Sequence, residues 1–164
     1  MMRRFSTVKE GVITGAIGAT AVAVWFLVVD LVSGQPFHTP ATLGEAVSAM
    51  FGPTEGESVF RHVALYTAFH YVAFAAIGTI AAWVMRASER EPSVLIALFI
   101  LFVAFELGFY GLTYVLSLSP NFGNIAWYQV GAANLVAAAL MGGYLLKRHP
   151  HAAQDLADTL AARV

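Results

Sequence analysis

Four long apolar runs constrain this chain more than any other feature. Residues 11–33, 60–85, 93–117 and 124–146 are each long and greasy enough to cross a bilayer, for which a helix needs about 20 mainly apolar residues. Backbone placed in hydrocarbon has no water to bond to, and a helix satisfies its amides within the segment. The predicted fold class is therefore all-α: a polytopic membrane protein, one domain over residues 1–164, built as an up-down bundle of four transmembrane helices. Composition agrees with this. Apolar residues make up 59% of the chain and charged residues 12%, about half the share usual in soluble domains. The mean hydropathy is +0.70.

The same totals exclude several kinds of function. There is no cysteine, so disulfides, thiolate metal sites, thiol redox chemistry and c-type haem attachment are ruled out. The formal net charge of −1 leaves no polybasic footprint for nucleic acid. The glycines are scattered along helices and form no phosphate-cradling loop. No nucleophile stands at motif spacing from a base, which points away from an enzyme.

Lys and Arg set the expected orientation. Arg3, Arg4, Lys9, Arg86, Arg90, Lys147, Arg148 and Arg163 fall on one side of four spans, and Arg61 falls on the other. Basic residues stay on the cytoplasmic side, so both termini are expected in the cytoplasm of a bacterial inner membrane. Trp83, Trp127, Tyr128 and Tyr144 lie near span ends, where amphipathic rings favour the interface. An N-terminal "MMRRF" followed by an apolar run and "VSG" loosely resembles a cleavable signal. The run is long for that purpose, however, and Asp30 interrupts its end.

Two shorter helices are expected outside the spans. In the first outer connection, "HTPATLGEAVSAMFGP" has Thr39 as a cap, Pro40 in the first turn and Gly52–Pro53 as a stop. Leu43, Ala46, Val47, Met50 and Phe51 form its apolar stripe, which suits a lid over the bundle end or a docking surface. The C-terminal "HPHAAQDLADTLAARV" is weakly amphipathic, with His149 and His151 expected in a solvated tail.

Packing faces can also be traced. Gly11, Gly15 and Ala19 recur at four-residue steps and would admit a close helix neighbour, either the fourth span or a second copy of the chain. The same face continues to Asp30.

Polar residues inside the spans carry the candidate function, because an ionisable group at bilayer centre costs about 2.5–3.5 kcal/mol on insertion scales. Glu106 lies in "AFELGFYG" with Tyr110 on its stripe, and the second span carries His62, Tyr66 and His70 at four-residue steps. At 1.5 Å per residue, His70, Glu106 and Asn134 all fall roughly 15–18 Å from the outer ends of their spans. They form a predicted polar layer, with Tyr66 and Tyr110 beside it. A second, outer level combines Asp30, His62, His38 and Gln129 as a possible ion entrance or metal site, since imidazole and carboxylate suit zinc, copper or iron.

Two functional readings follow. The first is a structural or accessory subunit, embedded in the lipid bilayer and associated with a larger membrane complex or with itself, in which the polar layer joins helices. The alternative is a proton-coupled transporter or metal-handling protein using the same residues. The polar-poor inner half of the second span, "YVAFAAIGTIAAWV", favours the first. No cofactor is named by the sequence, and haem held between two histidines of facing helices finds only one helix carrying them.

Overall fold

The computed structural model describes residues 2–49, 51–52, 56, 58–88, 94, 96, 99, 102–103, 106–107, 127–151 and 154. Four helices are delimited there and pack as an all-α bundle: α1 (Met2–Val32), α2 (His38–Ala49), α3 (Val59–Ser88) and α4 (Trp127–Arg148). Three of them are long and apolar enough to cross a membrane, over Thr7–Val32, Val59–Ser88 and Tyr128–Arg148.

The expected up-down bundle of four transmembrane helices is thus corrected to three spanning helices among the described residues. The fourth helix of the bundle, α2, has 12 residues. At 1.5 Å per residue it extends about 18 Å, well short of the roughly 30 Å of a hydrocarbon core. The apolar run at 93–117 counts as a span on hydropathy alone. It falls outside the described residues except for helical positions Val94, Ile96, Phe99, Phe102, Val103, Glu106 and Leu107. The C-terminal amphipathic helix likewise lies outside them beyond His151 and Gln154.

α1 lies between α3 and α4 and runs antiparallel to both. Its start meets the ends of the other two, since Glu10 contacts Arg86 and His149. Further along, Thr20 meets Tyr71, and Trp25 meets Gln129 near the beginning of α4. Between α1 and α3 the closest approach is made by small residues. On α1, Gly11 and Gly15 press so closely against α3 that a Cβ at either would overlap the backbone of Thr79, Phe74 or Ala75, and Gly78 returns the contact against Gly11 and Gly15. The glycine stripe expected to receive the last span or a second copy is therefore covered by α3 of the same chain. Without a driving force from water, close backbone approach gives the dispersion contact that holds such helices together.

α4 joins through a different row. Ala133 and Ala137 pack with Val22 of α1, and Leu145 packs with Ala82 and Met85 of α3. Gly18 lets α1 approach Met141 of α4 and Phe74 of α3.

The end of α1 is set by a local device. Gly34 adopts φ 71°, Gln35 N donates to Asp30 O and Gly34 N donates to Leu31 O. That is the Schellman pattern, which satisfies the last carbonyls and turns the chain out of the helix. α2 then packs against α3, burying Gly44 and Ser48; a Cβ on Gly44 would overlap the His62 backbone. The buried face of α2 is this small one. Leu43, Ala46 and Val47 are half-buried and Phe51 is 83% exposed. The lid expectation thus corresponds to a helix clamped on α3 by its glycine side.

Candidate functional site

The buried polar groups lie at three levels along α1. At the start, Glu10 is 6% exposed although it lies in the first turns of a spanning helix. Arg86 Nη2 donates to its Oε2 at 3.1 Å and His149 Nε2 contacts its Oε1 at 3.0 Å. Thr14 Oγ donates to the Glu10 carbonyl at 2.8 Å. One carboxylate thereby joins α1, α3 and the residue immediately after α4. A buried carboxyl group is tolerated when both of its oxygens are paired.

None of this cluster stood among the expected site residues. His149 was expected in a solvated tail, and the structure buries it. The reason is that α4 ends level with the start of α1, so the first residue beyond the helix turns inward onto Glu10. A signal did exist in the sequence: Glu10 stands directly after Lys9 at the basic end, and an acid among cations is a pairing candidate.

At the middle level, His70 Nε2 lies 3.1 Å from the Ala19 carbonyl of α1. A carbonyl only accepts, so Nε2 carries the proton. The imidazole is surrounded by aromatic rings: Tyr66 stacks at 5.5 Å between centroids, Tyr71 meets it edge-on at 6.0 Å, and Phe74 is tilted at 4.7 Å. Asn134 Nδ2 donates to Glu106 Oε1 at 2.8 Å. The expected layer of His70, Glu106 and Asn134 is therefore divided into two junctions. One ties α3 to α1, and the other ties α4 to the Glu106 position. Tyr110, expected on the Glu106 stripe, lies outside the described residues.

At the far level, Asp30 is 4% exposed and accepts twice from Thr39, from the backbone N at 2.9 Å and from Oγ at 2.7 Å. Thr39 was expected to cap α2 with its own oxygen. Instead a carboxylate from α1 takes that place, satisfying a free amide of the first turn and lying at the positive end of the helix dipole. The expected outer group is dispersed. Gln129 accepts from Trp25 Nε1 at 3.0 Å, His38 is exposed, and His62 is buried beneath Gly44 of α2. Among the described residues no three His, Asp or Glu side chains gather closely enough to hold a metal ion.

Compared with known proteins, the chain matches no family model, no curated protein and no solved structure. The chain is a small all-α protein with a buried polar and charged network, Glu10, Arg86, His149, Asp30 and Thr39, held among helices apolar enough to span a membrane.

Proposed function

We propose that the chain is a membrane-embedded helical scaffold, an accessory subunit whose polar side chains hold its helices in register. The observation that carries this reading is that the buried polar groups join one element to another at separated heights. Glu10 gathers α1, α3 and the end of α4; His70 binds α1; Asp30 binds α2. Along α1 the Glu10 and Ala19 levels are about 13 Å apart, and the Ala19 and Asp30 levels about 16 Å. A proton relay needs donors and acceptors within about 3 Å of one another. The first gap is filled by Gly11, Gly15 and Gly18 packed against α3 and Met141.

Lys9, Arg86, Lys147 and Arg148 lie at one end of the described helices, and Arg61 at the other. In this reading the protein resides in a bacterial inner membrane with the basic end facing the cytoplasm.

The test is reconstitution into liposomes with a pH-sensitive dye inside. The scaffold reading expects proton leak equal to that of empty vesicles, and Glu106→Gln expects unchanged unfolding, since an amide still bonds to Asn134. A flux above the empty-vesicle rate, lost in Glu106→Gln while its unfolding temperature stays at the wild-type value, would overturn the scaffold in favour of transport.

A further inference from the structure

The half of the bundle remote from the basic cluster contains a cleft bordered by His70 and by the Asp30–Thr39 pair. It lies between α1 and α3, with Phe37 and Pro40 ahead of α2 and in its first turn at one end, and has a volume of about 260 Å³. Its walls are largely aromatic and aliphatic: Phe26, Leu27, Phe37, Val63, Tyr66 and Tyr71.

The hydrogen-bonding groups facing this space are incompletely used. His70 gives its Nε2 proton to Ala19 O, so in the neutral ring Nδ1 keeps an acceptor lone pair. The hydroxyls of Thr20 and Tyr71 share a single hydrogen bond of 2.9 Å, so one of their two protons is left to donate. The Tyr66 hydroxyl has no hydrogen-bond partner among the described residues. Two O–H donors and one nitrogen acceptor thus border an aromatic slot, with the Tyr66 and Tyr71 rings both packed against His70.

The ligand that fits is limited by charge, size and route. Asp30 is the charged side chain at the cleft among the described residues and is committed to Thr39, so a phosphate head would meet a carboxylate and no cation. The volume lies just under the range of about 300–1,000 Å³ usual for drug-sized ligands, which suits a single ring. Val24 and Leu27, on the α1 wall, are exposed where lipid chains would lie, so a ligand reaches this cleft from within the bilayer. Phe37, at the α2 end, is held at φ 65°. That left-handed conformation strains a bulky residue, and such strain concentrates at ligand sites.

We propose that this cleft binds the ring head of an isoprenoid quinone. Tyr66 and the Thr20–Tyr71 pair donate to the two carbonyl oxygens, and His70 Nδ1 accepts from the hydroxyl of the reduced form. The site goes beyond the scaffold reading and is independent of it, because one fails on proton flux and the other on ligand binding.

The experiment uses the full chain in nanodiscs of quinone-free phosphatidylcholine, titrated with a short-chain ubiquinone and a short-chain menaquinone against empty nanodiscs. Saturable uptake above the empty-disc level is expected. Tyr66→Phe and Tyr71→Phe should each weaken it roughly three- to tenfold, the worth of one net hydrogen bond. Leu140→Ala, on the other face of α1 and α4, should bind like wild type. Should either tyrosine variant unfold, the carbonyl stretch of quinone bound to the wild-type protein decides instead, and a shift to lower frequency than in empty nanodiscs is expected. Uptake equal to that of empty nanodiscs, tyrosine variants that fold and bind as wild type, an unshifted carbonyl stretch, or phospholipid competing the quinone away would each overturn the site.

Discussion

The two ends of the bundle use a buried carboxylate in different ways. At the basic end Glu10 is held by two cationic or potentially cationic partners from two other elements, so a single side chain closes the contact of α1 with α3 and α4. At the opposite end Asp30 is held by one residue nine positions along the same chain, and what it fixes is the start of a short surface helix. The first is a global clamp and the second a local one. Removing one member of a buried ion pair leaves its partner's charge unpaired, and Glu10 has charged or potentially charged partners where Asp30 has the neutral Thr39. Losing the Asp30 cap instead leaves a neutral amide and hydroxyl of Thr39 without this acceptor.

The comparison is open to direct tests. The largest effect is expected from Glu10→Ala. Removing one member of a buried ion pair costs about 3–5 kcal/mol; the value here should fall toward or below the lower end, because the Arg86 side chain is 27% exposed and both partners keep other interactions. The loss should appear as a lower midpoint in detergent unfolding monitored by circular dichroism, with α1, α3 and α4 lost together. An unfolding midpoint at the wild-type value would mean that the basic end is not a clamp.

Next comes Gly15→Ala. Its Cβ would overlap the Phe74 backbone, so α1 and α3 must separate. Overpacking of this kind costs about 1–3 kcal/mol. Crosslinking of cysteines introduced at Val12 and Ile80 would report the wider spacing as slower disulfide formation. Asp30→Ala should cost about 1–2 kcal/mol through loss of the cap, and the comparison predicts where the loss falls. Hydrogen exchange should quicken over 38–49 and stay at the wild-type rate over Thr7–Val32. Quickening along the whole of α1 would make the two ends alike.

The smallest effect is expected from Asn134→Leu. A hydrogen bond between membrane helices averages about 0.6 kcal/mol, because the separated helices find other partners. The unfolding midpoint should fall only slightly; a loss as large as that of Glu10→Ala would move the main clamp from the basic end to mid-membrane.

Much of the architecture was legible in the residue pattern. Period and length identify α3 and α4 to within about three residues and the end of α1 to within one, but α1 begins nine residues before the expected start at Gly11; "HTPATLGEAVSAMFGP" announces α2. Counting apolar runs was a poorer guide to the number of spans, because hydropathy reports what a segment could do alone. Depth counting placed Asn134 and Glu106 at one height, and they are bonded. It placed His70 there too, but height along an axis says nothing about rotation around it, and His70 turns to α1. Asp30 and Gln129 were grouped for the same reason, and the same freedom gives them Thr39 and Trp25 as partners.

By itself, then, the sequence determined what each segment is: its helical state, its affinity for lipid, its small-residue stripes and the residues where the chain must turn. These are local properties, written in spacing and composition. Tertiary structure alone decided which partner each face meets. The glycine stripe of α1 went to α3 because Gly78 offers a matching flat surface at that height, leaving Ala133 and Ala137 of α4 to pack with Val22. That arrangement brings the end of α4 level with the start of α1, and only then does His149 become a partner for Glu10.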